Sequence, residues 1–135
     1  MAAHTIIKKL SLPVIIVLAV FFYALNQKHK KQIPVDINTV DSITIEPNYN
    51  IDPKADAPRK LNTEQAKKLI ADWNTAEVKG IYNYQWKYLL KIYQRNDSIR
   101  SLWVNGSMAQ EKTNESFDVG GDDYFLNLWN SSGNR

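Results

Sequence analysis

GIYNYQWKYLLKIYQ, Gly80 to Gln94, is the stretch on which the fold turns. On a pleated strand one parity carries Tyr82, Tyr84, Trp86, Tyr88, Leu90 and Ile92. The other carries Asn83, Gln85, Lys87, Leu89, Lys91 and Tyr93. Successive side chains of a strand point to opposite faces, so the pattern predicts one aromatic and aliphatic face and one mixed, partly charged face.

Working outward, Asn96-Asp97 reads as a hairpin turn into IRSLWV, and Asn105-Gly106 as a type I′ turn into SMAQE. Taken as two-residue turns, they pair Ile92 with Ser101, Leu90 with Trp103, and Trp103 with Met108. This register puts Trp103 on the apolar face and Lys87, Lys91 and Arg100 on the other. Upstream, VDSITIEP reads as a strand stopped by Pro47, and the stretch from Pro47 to Lys60, with three prolines, as a loop.

LNTEQAKKLIADWNTA is the clearest helix. Asn62 stands at the cap, Gln65 at the return position of a capping box, and Ala66, Leu69, Ile70 and Trp73 form one apolar stripe. Glu64, Lys67, Lys68 and Asp72 are expected to face water. A short strand around Phe117 to Val119 and a closing helix from Asp122, striped by Phe125, Leu128 and Trp129, complete the order. The expected fold is α+β: a small, largely antiparallel meander with one packed helix and a short C-terminal helix, preceded by a single transmembrane helix.

That N-terminal element is KKLSLPVIIVLAVFFYALNQKHKK, in which the apolar run Leu10 to Leu25 lies between two lysine clusters. About 16 residues make about 24 Å of helix, which snorkelling lysines extend toward a hydrocarbon core of about 30 Å. Phe22 stands where a cleavable signal wants a small residue, so an uncleaved signal anchor is favoured over a signal peptide. The division read from the chain is an anchor over 1–25, a basic tether over 26–38 and an α+β domain over 39–135. The flanking lysines nearly balance under the positive-inside rule. A basic start followed at once by an apolar run nevertheless looks like an export signal and places the domain outside the cytoplasm, on the periplasmic side of an inner membrane.

Charge and composition exclude several classes. The first 31 residues hold five lysines and no acid, while the remainder holds 12 basic and 14 acidic residues, so the domain lacks the footprint of a nucleic-acid binder. There is no cysteine, and the two histidines, His4 and His29, flank the apolar run. A histidine triad or an ordinary zinc site therefore cannot be built within the domain. DVGGDD, Asp118 to Asp123, gathers three acids without the spacing of a calcium loop, and a helix cap at Asp122 or Asp123 explains it better. No cofactor is expected.

The helix stripe must be buried, and Tyr88, Leu90 and Ile92 are its natural partners. A helix of about four turns cannot cover a strand of about 33 Å, so Tyr82, Tyr84 and Trp86 are expected to protrude as an aromatic edge for a protein partner, with Lys87, Lys91 and Arg100 as candidate contacts on the other face.

LNTEQAKKLIADWN together with NDSIRSLWVNGS resembles small membrane-tethered or secreted domains of unknown function from Bacteroidota-type bacteria. That resemblance implies an envelope setting and no particular activity. The reading is a membrane-anchored, non-enzymatic protein-binding module, an accessory subunit of an envelope membrane complex, held in the bilayer through residues 10–25. The alternatives are an immunity-type inhibitor of a toxin and an enzyme acting through carboxylates.

Overall fold

The computed structural model describes residues 2–27, 32–81, 85–112 and 115–133, with side chains of the N-terminal helix described from 12 to 24. Two compact units divide the chain after Lys31. The first is a single helix, α1, Ala2–Gln27, with Pro13 inside it. Among the described residues no helix is long and apolar enough to cross a membrane.

The second unit is α+β. Its strands are β1 (Val40–Pro47), β2 (Arg59–Lys60), β3 (Glu77–Gly80), β4 (Tyr88–Gln94), β5 (Ile99–Asn105), β6 (Met108–Gln110) and β7 (Ser116–Asp118). Two helices accompany them, α2 (Thr63–Asn74) and α3 (Tyr124–Ser132). All strand pairs are antiparallel, in the order β2-β1-β4-β5-β6-β7-β3. The short strands β2 and β3 form the two edges, and neither was foreseen as a separate element.

α2 forms as its sequence dictates. Gln65 N donates to Asn62 Oδ1 at 2.8 Å and Asn62 N to Gln65 Oε1 at 2.9 Å, which closes the capping box. Its stripe buries Leu69, Ile70 and Trp73. Trp73 is 1% exposed and meets Phe117 edge to face at 5.4 Å. Across the sheet the same core takes Ile43 and Ile45 from β1, Leu90 and Ile92 from β4, Leu102 and Val104 from β5, and Ala109 and Phe117 from β6 and β7.

α2 does not cover this face alone. Phe125 of α3 is fully buried, and Trp129 lies 5.6 Å from the Tyr88 ring, which extends the cover over the end that a single helix leaves open. Arg59 is sandwiched there, its guanidinium 3.8 Å from the Trp129 ring and its Nη1 donating to Trp129 O at 2.9 Å. Asp72, expected in water, accepts from Tyr124 Oη at 2.6 Å and joins the two helices.

Two expectations about the central stretch are corrected. The long strand from Gly80 does not form: β3 ends at Gly80, where φ is 82°, and β4 starts at Tyr88. β3 is an edge strand of the sheet and β4 an inner one. The residues just before β4 are pinned, with Asn105 Nδ2 donating to Gln85 O, Asn48 Nδ2 to Trp86 O and Lys87 N to Val104 O.

The hairpin register is also one residue off. Tyr93 pairs with Ile99, Leu90 with Leu102 and Leu89 with Trp103. The loop holds three residues, Arg95 to Asp97, closed by Asp97 N donating to Gln94 O and Gln94 N to Ser98 O. Asp97 takes the left-handed conformation at φ 65°, as the last residue of such loops does. The next turn is Gly106-Ser107, with Asn105 opposite Met108 and glycine at φ 60° in its first central position, the pattern of type II′. A one-residue slip exchanges the faces of a strand. Leu102 and Val104 therefore take the core, and Trp103 goes to the opposite side.

Candidate partner-binding face

The sheet face away from α2 and α3 is built from the residues left over by that register. On β4 it carries Leu89, Lys91 and Tyr93, opposed on β5 by Trp103, Ser101 and Ile99 respectively. β1 adds Glu46 beside Leu89 and Thr44 beside Lys91, and β6 adds Gln110 beside Trp103. Leu89, Tyr93 and Trp103 are half-buried and stand outside the core cluster, while Ile99 is 52% exposed. Neither α2 nor α3 contributes side chains to this face; both pack into the core cluster on the other side.

Among these apolar side chains lies one ion pair. Lys91 Nζ approaches Glu46 Oε1 at 2.9 Å, with the two side chains 32% and 12% exposed. The hydrogen bond that Lys91 donates to Glu46 is the main reason its ammonium holds its proton above the ordinary lysine range, against a smaller opposing effect of burial. The pair fixes two charges in place, and Lys60 of β2, opposite Thr44, adds a third charge to the same face. An aromatic and aliphatic patch with a held charge pair suits a protein surface of matching shape.

Of the residues predicted as a site, Tyr82 and Tyr84 lie outside the described residues. Trp86 is half-buried and Lys87 exposed, both in the pinned segment before β4. Of the two basic residues expected on one face with Lys87, Lys91 lies on the open face as read. Arg100 is the correction: it follows the parity of Leu102 and Val104 to the covered side, where Nε and Nη2 fork onto Glu111 at 2.8 and 2.6 Å. The slip in the loop that moved Trp103 moved Arg100 in the opposite sense. The missed members are Leu89, Tyr93, Ile99, Trp103 and Glu46, and the one local signal was the tolerance of Asn and Asp for left-handed backbone, which admits a three-residue loop.

DVGGDD likewise departs from the expected cap. Asp123 precedes α3 at φ 53° and its side chain makes no capping bond. The helix start is served by the hairpin turn instead, with Phe125 N donating to Gly106 O at 2.9 Å. Asp118 Oδ1 accepts from Gly120 N at 2.8 Å, a local turn. Among the described residues no group of three or more acids or histidines is placed to hold a metal ion.

Among the described residues, one concavity of about 700 Å³ runs from Asp56 and Arg59 to Ser131, one of about 690 Å³ lies around Gly106, Asp118 and Asp123, and one of about 650 Å³ lies between α2 and α3, floored by Val119, Tyr124 and Leu128. Comparison with protein-family models, curated proteins and solved structures returned no match. The functional reading rests on this chain's own geometry.

Proposed function

We propose that the protein is a single-pass, membrane-anchored, non-enzymatic protein-binding module that serves as an accessory subunit of an envelope membrane complex, with its domain on the periplasmic side of the inner membrane. The observation that carries the reading is the open sheet face, where Leu89, Tyr93, Ile99 and Trp103 surround the Lys91–Glu46 pair on the side away from α2 and α3. Rigid aromatic anchors beside a fixed charge pair concentrate binding energy in few residues and suit a partner that is itself a folded surface.

The anchor is supported by the sequence. α1 runs unbroken for 26 residues, about 39 Å. Its described side chains cover Leu12 to Ala24, about 20 Å, whereas the apolar run extends to Leu10 and Leu25 between lysines able to snorkel. Against a carboxylate enzyme stands the placement of acids: Glu46 and Glu111 are each tied up by a basic partner, and Asp72 by Tyr124 and Lys68.

Gentle solubilisation of membranes and recovery of the tagged full chain, with bound proteins identified by mass, tests the reading. A membrane protein recovered by the wild type and lost from Trp103→Ala is the expected result. Recovery of a toxin would assign the same face to the immunity-type alternative. Equal recovery by both chains, or release of the protein from membranes by alkaline carbonate, would overturn the proposal.

A further inference from the structure

Gln32 to Val35, expected from the sequence to be part of a basic tether, are hydrogen-bonded to the end of α2 and to β5. Asn74, the last residue of α2, presents its side-chain amide to Val35 as a neighbouring strand would: Val35 N donates to Asn74 Oδ1 and Asn74 Nδ2 to Val35 O, both at 2.8 Å. Gln32 Nε2 donates to the Asn74 carbonyl. Ile33 O accepts from Trp73 Nε1 at 2.9 Å and Arg100 Nη2 at 2.8 Å, and Pro34 O from Arg100 Nη1 at 2.9 Å. The Val35 side chain, 3% exposed, is part of the core.

We infer that Gln32–Val35 is a conformational clamp, through which any pull or rotation on the chain before Gln32 is delivered to β5 and to the end of α2 instead of being absorbed by a loose linker. Arg100 is the centre of this device. Glu111, 9% exposed in its side chain, holds two of the guanidinium nitrogens, and the guanidinium in turn holds two consecutive carbonyls. A rigid planar fork can serve a carboxylate and a strap of backbone at once, which a lysine cannot. Arg100 also lies between Ile99 and Ser101 of the open face, so the strand that meets the clamp on one side presents the proposed partner surface on the other. The clamp stands on hydrogen bonds inside the domain and does not depend on what α1 is embedded in.

The chain has no cysteine, so a single introduced one carries a label uniquely. Ile33, 64% exposed in a residue whose carbonyl is clamped, is the position of choice. A spin label on Ile33→Cys of the full chain should move at least about threefold more slowly than the same label on Ile33→Cys with Asn74→Ala. In wild type the Val35 amide should exchange with solvent at least about 100-fold more slowly than an unstructured amide, and Asn74→Ala should remove most of that protection while leaving Leu90 and Leu102 protected. Arg100→Lys, which keeps a cation beside Glu111, guards against a variant that merely unfolds and should also mobilise the label. A label as mobile in wild type as in the variants, or a Val35 amide exchanging at the unstructured rate, would overturn the inference.

Discussion

Tyr124 Oη and Lys68 Nζ both donate to Asp72 Oδ2 at 2.6 Å, so a single carboxylate oxygen joins α3 to α2. Burial, reinforced by the bond to Asp72 and its charge, pushes the Tyr124 hydroxyl far above the ordinary tyrosine value of 10.0. In the unfolded chain the hydroxyl ionises near that value, whereas in the folded chain it stays protonated. The unfolded state therefore binds fewer protons above about pH 10, and stability is complete below that pH and falls as pH rises beyond it. Tyr124→Phe should cost about 2 kcal/mol at neutral pH, by loss of a hydrogen bond to a charged group. It should also flatten the decline between about pH 9 and about pH 11, measured by urea unfolding at each pH. Tyr88, raised chiefly by burial, leaves a residual slope.

The two faces of the central hairpin should respond oppositely to truncation. Leu90 is fully buried, and Leu90→Ala should cost about 3 kcal/mol of folding stability. Trp103→Ala, one pleat away on the open face, should cost under about 1 kcal/mol of stability but about 2 kcal/mol of partner binding. Chemical denaturation and quantitative recovery of the partner check the pair; a Trp103→Ala variant as unstable as Leu90→Ala would place Trp103 in a core.

Trp73→Ala removes a 1% exposed ring and the indole donor to Ile33 O, and should cost about 3 to 5 kcal/mol in chemical denaturation. A loss below about 1 kcal/mol would contradict the packing of α2 on the sheet.

At the three-residue loop, Asp97 sits at φ 65°, a left-handed conformation that Asp tolerates but glycine adopts without strain. Asp97→Gly should raise stability by up to about 1 kcal/mol, and Gly106→Ala, at φ 60°, should lower it by about 1 kcal/mol. Thermal unfolding distinguishes the two signs.

Ser116 Oγ is buried with no hydrogen-bond partner among the described residues. Ser116→Ala should therefore be neutral or stabilising, by up to about 1 kcal/mol in the same thermal assay, because it removes an unsatisfied polar atom while keeping the backbone of β7.

Much of the domain follows from local sequence. The Asn62–Gln65 capping box, the Leu69, Ile70 and Trp73 stripe, the strand over VDSITIEP, the Leu90 and Ile92 face and the closing helix with Phe125 are each written in a pattern a few residues long, and each forms. What the tertiary structure alone decided is which strands are neighbours and which face each side chain reaches. β3 pairs with β7, far along the chain, and this pairing ends the aromatic stretch before it becomes one strand. One extra residue in the loop after Gln94 sends Trp103 outward and Arg100 inward, because strand faces alternate and a loop's length is not written in the strands it joins. Gln32 to Val35, short and proline-containing, carry no periodic signal; only Asn74, Trp73 and Arg100, brought together by folding, make them part of the domain.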